Sequence, residues 1–188
     1  MPFDKNFVPA LRFAVMSDIH IDDEDCIEEQ RFAKALDDLK NLCSSDERYS
    51  GFDALVIVGD FASRGSEIQM RKVKKILDAG LPADVRLIMT MASHEYMTDG
   101  EENALRRFDE IFGLTPDTHA VINCFDFIAV TTTRGCHFDD KKRGFVSAEL
   151  EKAAERDGKK PIFFFQHPHI TDTVYGSYTT TSGDVSGS

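Results

Sequence analysis

Phe13-Ala14-Val15-Met16-Ser17-Asp18-Ile19-His20 is an apolar run that stops abruptly at two residue types able to ligate a metal. The run reads as a strand. In an extended chain the side chains alternate faces, so Asp18 and His20, two apart, are expected to point the same way from the strand's carboxyl end. One Asp-x-His triplet is weak on its own. It gains weight if the chain supplies further oxygen and nitrogen ligands at other strand ends.

Working outward, the spacing predicts a strand near residues 11–16, with Asp22, Asp23 and Asp25 offering caps for a helix whose inner face is Phe32, Leu36, Leu39 and Cys43. Asp53 to Val58 reads as a second strand, apolar on consecutive positions as expected where both faces of a sheet are covered, and it too ends at an acid, Asp60. Ser66 with Gln69 forms a capping box for a helix with core face Ile68, Val73, Ile76 and Leu77, closed by Gly80. Val85 to Met91 is a third strand that delivers Ser93, His94 and Glu95. Thr98 with Glu101 is expected to cap a helix facing inward through Leu105, Phe108, Ile111 and Phe112, stopped by Gly113.

From His119 the pattern changes. Ala120-Val121-Ile122 and Phe127-Ile128-Ala129-Val130 read as an antiparallel hairpin that starts a second sheet. A helix is expected from Ser147 to about Arg156, broken by Gly158. Pro161 to Phe165 is then a buried strand ending at His167 and His169, and the Gly, Ser and Thr-rich stretch after Tyr175, residues 176–188, is expected to be flexible.

At 188 residues, 41% apolar, the chain can bury one core and is expected to be a single domain over 1–188. With 22 basic and 33 acidic side chains its formal charge is -11, which disfavours nucleic acid and other polyanions. Cys26, Cys43, Cys124 and Cys136 form no Cys-x-x-Cys pair, and no apolar signal segment opens the chain. They are read as reduced thiols in a cytoplasmic protein. No stretch approaches the roughly 20 apolar residues a membrane helix needs, so no membrane span is expected.

Four strands thus terminate in Asp18/His20, Asp60, Ser93/His94 and His167/His169. In open α/β sheets the ligand crevice lies beyond the carboxyl ends of the strands, so these residues can converge. Imidazole together with carboxylate suits manganese, iron or zinc better than calcium.

The ordered blocks resemble those of the calcineurin-like metallophosphoesterase family. Asp18-Ile19-His20 is similar to its Asp-x-His block and Gly59-Asp60-Phe61-Ala62-Ser63-Arg64-Gly65 to its Gly-Asp-x-x-x-x-Gly. Ala92-Ser93-His94-Glu95 stands for Gly-Asn-His-Asp/Glu, and Gln166-His167-Pro168 for a lone His after a later strand. The resemblance implies a four-layer α/β/β/α sandwich holding two divalent ions. By analogy Asp18 and His20 hold the first ion, Asp60 bridges both, and His167 belongs to the second. His94 would sit over the scissile phosphate as the catalytic residue, with a hydroxide activated by both ions attacking phosphorus. Arg64 lies where phosphatases of this superfamily place a phosphate-binding arginine, and His169 is a second substrate-binding candidate.

Two departures stand out. Ala92-Ser93 replaces Gly-Asn, so Ser93 offers the second ion a hydroxyl in place of an amide oxygen. No terminal Gly-His-x-His follows before Ser188, which sets the expectation of a domain cut short at its C-terminus. An alternative takes His167-Pro168-His169 as that terminal pair, with His119 or His137 as the lone block; the long spacing from His94 and the presence of Pro168 favour the first alignment. The leading expectation is hydrolysis of a phosphodiester or a small phosphorylated metabolite. The competing one is a catalytically impaired member serving as a binding or scaffold module.

Overall fold

The computed structural model describes residues 6–132, 138–156 and 160–170. The expected behaviour of 176–188, and the positions of His137, Cys136 and Gly158, lie outside the described residues. Three parallel strands, β1 (Phe13–Met16), β2 (Ala54–Val58) and β3 (Arg86–Thr90), form one sheet in the order β1-β2-β3. The second sheet has the order β4-β5-β6, with β4 (Thr118–Ile122) antiparallel to β5 (Phe125–Val130) and β6 (Ile162–Gln166) parallel to β5. Helices α1 (Ile27–Ser44), α2 (Glu67–Gly80) and α3 (Glu101–Phe112) follow the strands of the first sheet, and α4 (Asp140–Ala154) connects β5 to β6.

β2 shows why the layers stack this way. All five of its residues are buried. Leu55 and Ile57 join the core cluster of Phe32 and Leu36 from α1, Val73 and Leu77 from α2, and Phe108 from α3. Ala54, Val56 and Val58 point the other way, into a cluster with Ala120, Phe127 and Ala129 of the second sheet. A strand covered on both faces must be apolar at every position, which is what its sequence shows. Phe13, Phe127, Phe163 and Phe165 pack ring against ring between the sheets, with centroids 4.8 to 6.0 Å apart. With α4 against β5, the layers run α/β/β/α as expected from the sequence.

Several local expectations are corrected. The Asp22, Asp23 and Asp25 carboxylates do not cap α1, whose N-cap is Cys26 without a side-chain bond. Asp22 instead accepts from Gln69 and Asp23 from Ser66, so these acids tie α2 to the loop after β1. Ile68 is 57% exposed, because the capping box turns Gln69 inward and the buried stripe of α2 runs through Gln69, Met70, Val73 and Leu77. Thr98 does not cap α3; its hydroxyl donates to the Arg64 carbonyl, and Gly100 is the N-cap. Helix α4 starts at Asp140, with the Asp139 carboxylate accepting from the Lys142 amide, well before the expected Ser147. The β4–β5 turn is only Asn123-Cys124, both at positive φ (49° and 65°), the geometry of a two-residue hairpin turn.

Candidate metal centre

The carboxyl ends of β1, β2 and β3 continue into loops that are stitched to one another. Past β1, the amides of Asp18, His20 and Ile21 donate to the carbonyls of Gly59, Asp60 and Phe61 at 3.4, 3.1 and 3.1 Å. This pairing forces a conformation that the sequence reading did not contain. Asp18, His20 and Asp60 all have left-handed backbones, with φ of 55°, 54° and 51°. Simple alternation of an extended strand therefore does not deliver the Asp18 and His20 side chains; two successive left-handed turns do. Asp and His are among the non-glycine residues that tolerate this region best, so the residue types that can ligate a metal also suit the backbone that presents them.

Two groups of ligand atoms result. One atom each from His20, Asp60 and His94 lie within 4.8 Å of one another, and so do one each from Asp18, Asp60 and His167. Asp60 is common to both. Asp18 and His20, expected to share one ion, belong one to each group, yet His20 Nε2 lies only 3.9 Å from Asp18 Oδ1, a separation at which both can reach the same ion. The His20 and His94 rings meet edge to face at 4.6 Å between centroids.

Both later histidines are oriented through their far nitrogens. His167 Nδ1 lies 2.8 Å from the Val58 carbonyl, and His94 Nδ1 lies 2.7 Å from that of Ser63. A carbonyl can only accept, so each Nδ1 carries the hydrogen and each Nε2 is left for the site. This is the arrangement that fixes the tautomer of a metal-ligating imidazole. His167 Nε2 sits 3.2 Å from Asp60 Oδ2, and that carboxylate is the main reason the imidazolium is stabilised, to about 9. Burial pushes the Asp60 carboxyl up, yet the bond and charge of His167 outweigh it and the net shift is downward. Two carboxylates and three imidazoles with pinned or paired ring nitrogens form a donor set that fits divalent first-row cations.

Beneath these ligands lies a residue to which the sequence reading gave no role. Glu95 is fully buried in the 3₁₀ turn Ser93–Tyr96, and its carboxylate accepts from the amides of Asp60 and Ala62 at 3.0 Å each and of Ala92 at 2.8 Å. Burial pushes its carboxyl up to about 7, against the pull of those amides. The signal for it in the sequence is the block Ala92-Ser93-His94-Glu95 itself, in which Glu95 stands where the resembled family carries Asp or Glu.

The remaining candidates are placed as follows. Ser93 is exposed, one residue before His94. Arg64 has an exposed side chain, while its backbone is held by Gln69 and Thr98. His169 is exposed and belongs to neither ligand group. His119 is remote from both groups, with one ring nitrogen 2.7 Å from Asp126 and the other 2.7 Å from Glu149. A cleft of about 620 Å³ opens on the site between Asp18, His20, Arg31 and Phe32. A larger one of about 690 Å³ between Arg12, Asp46 and Arg48 contains none of the candidate ligands, and both arginines there are already paired with Asp46. Among the described residues no helix is long and apolar enough to cross a membrane.

Compared with known families, residues 11–185 match the calcineurin-like phosphoesterases. A search of curated proteins returns no match.

Proposed function

Because the chain belongs to the calcineurin-like phosphoesterase family, we propose that it hydrolyses a phosphodiester or a small phosphorylated metabolite with the help of two divalent ions, manganese, iron or zinc. The observation that carries this reading is the single carboxylate, Asp60, common to two ligand groups. Asp18, His20, Asp60 and His167 would hold the ions, with Ser93 as a weak additional donor. When bound, such ions lower the pKa of water and neutralise phosphoryl charge. His94 shares a group with His20 and Asp60 but is assigned here to catalysis and not to an ion: with Nδ1 committed to the Ser63 carbonyl, its Nε2 would pass a proton to the leaving oxygen from the imidazolium form. Arg64 and His169, both exposed, are candidates for contacts with the non-reacting part of the substrate.

A small substrate rather than a nucleic acid is supported by charge. The formal charge is -11, and most cations of the two basic stretches at 71–75 and 141–143 are engaged by acids: Arg71 with Glu67, Lys72 with Glu29, Lys74 with Asp78, Lys142 with Asp117 and Arg143 with Asp140. Hydrolysis of nitrophenyl mono- and diesters with added manganese tests the proposal. Turnover that is lost in Asp60→Asn is expected; no turnover together with no metal in elemental analysis would refute it. The second reading, an impaired member that binds without catalysis, is favoured by Ser93 alone, the short neutral side chain where the family's block carries Asn.

A further inference from the structure

We infer that Glu95 is the positioning residue of this centre: its buried carboxylate holds the turn after β2 in the left-handed form from which Asp60 serves both ligand groups. The inference rests on the metal-site reading above and adds to it a residue that would touch neither ion nor substrate.

The reasoning begins with backbone hydrogen bonds. The Gly59 amide still donates to Thr90 of β3, at 3.2 Å, but from Asp60 onward the chain leaves the sheet and its inward amides need another acceptor. Glu95 supplies it. One oxygen takes Asp60 and Ala92, the other takes Ala62, so one side chain ties the loop after β2 to the loop after β3. The link is reciprocal, because the His94 amide donates to Asp60 Oδ1 at 3.2 Å. Asp60 is thereby fixed at its amide by Glu95 and at its carboxylate by the residue preceding Glu95. The backbone of Glu95 is itself seated against Gly65, where a Cβ would lie 1.9 Å from the Glu95 carbonyl oxygen.

The chemistry required is that of a carboxylate. Three N–H groups converge on two oxygens, and a glutamine in the same place would aim an N–H₂ group at one or two of those donors. An acid beside the Asp60 carboxylate is a poor choice for stability alone, since two like charges are brought close. It is a good choice for presenting a ligand, because an outer partner bonded to the ligand's own backbone sets where its oxygens point.

The test uses the full chain. Glu95→Gln is expected to remain folded by circular dichroism, to lose amide hydrogen-exchange protection at Asp60, Ala62 and Ala92, and to bind manganese about 10–100-fold more weakly in titration calorimetry. Glu95→Asp keeps the charge on a shorter arm and is expected to lose less. A folded Glu95→Gln with wild-type protection at those amides, or with wild-type manganese affinity, overturns the inference. If Glu95→Gln does not fold, Glu95→Asp decides: unchanged manganese affinity and unchanged protection overturn the inference, and a loss of both supports it. A wild-type chain that binds no manganese refutes the metal-site reading instead, and amide protection then decides by itself whether Glu95 holds the Asp60 turn.

Discussion

Gly65 and Gly113 form a matched pair in which backbone conformation is constant and space is the variable. Both are left-handed, with φ of 71° and 63°. At Gly113 a Cβ would meet nothing within 4 Å, whereas at Gly65 it would lie 1.9 Å from the Glu95 carbonyl oxygen and 2.5 and 2.7 Å from its carbonyl carbon and Cα. Alanine at either site carries the left-handed cost of about 1–2 kcal/mol, offset by about 0.4–1 kcal/mol because the unfolded chain is also stiffened. Gly113→Ala should therefore destabilise by about 1 kcal/mol or less. Gly65→Ala must also push two backbones apart, an overpacking term of about 1–3 kcal/mol, for a total of about 1–4 kcal/mol. In a domain of this size each kcal/mol moves the melting temperature by about 2–4 °C, so thermal melts of the two variants should differ clearly. Because the backbone displaced is that of Glu95, Gly65→Ala should also weaken manganese binding while Gly113→Ala leaves it intact. Equal melting temperatures for the two variants would refute the claim that the close approach of the loops, and not merely φ, requires glycine at 65.

Stability without added metal should fall as pH rises from about 6.5 to about 9. The His167 imidazolium is favoured in the folded protein by Asp60, so its contribution is complete below the ordinary histidine value and is lost as the folded group titrates. The span corresponds to at most about 3 kcal/mol; urea melts across this range test it, and a flat profile would remove the His167–Asp60 pair from the account. Manganese affinity, measured by titration calorimetry, should rise over the same window as the ion replaces that proton. His119→Ala removes a side chain held between Asp126 and Glu149, but Arg156 and Lys152 still reach those acids. A loss of about 2 kcal/mol in chemical denaturation with unchanged metal affinity is expected; a loss of affinity would connect this cluster to the site. Ser93→Asn should raise manganese affinity about tenfold, equivalent to 1.4 kcal/mol, if the rest of the donor set is intact; no change would favour the binding-module reading.

The parts of the fold that the sequence announced are those in which one segment's own pattern decides its place. The apolar run of β2 and the Ser66–Gln69 capping box are of this kind, and both stand. The corrected parts depend on a partner distant in sequence. Asp22 and Asp23 look like caps, yet they bond Gln69 and Ser66 across the loop junction. Helix α4 carries almost no apolar stripe, with Ala153 its only buried residue, and its start is marked by Asp139 beside a basic run that reads as loop.

The centre divides in the same way. Strand-end acids and histidines were legible as residue types, but their left-handed backbones were not, because those arise from amides of one loop meeting carbonyls of another. Such conformations cost about 1–3 kcal/mol each and persist only where the surroundings over-determine them. Here the surroundings are the 17–21 and 59–62 loops zipped together, Glu95 beneath them and Gly65 against Glu95. All of these contacts are made by protein atoms alone. The backbones that carry Asp18, His20 and Asp60 are therefore fixed by contacts within the fold, and less of the binding energy of an ion held there would be spent on ordering the loops. The replacement of Gly-Asn by Ala92-Ser93 would be tolerated on this account: a centre whose backbone is already fixed would lose the contribution of one donor at Ser93 without losing the arrangement of the others.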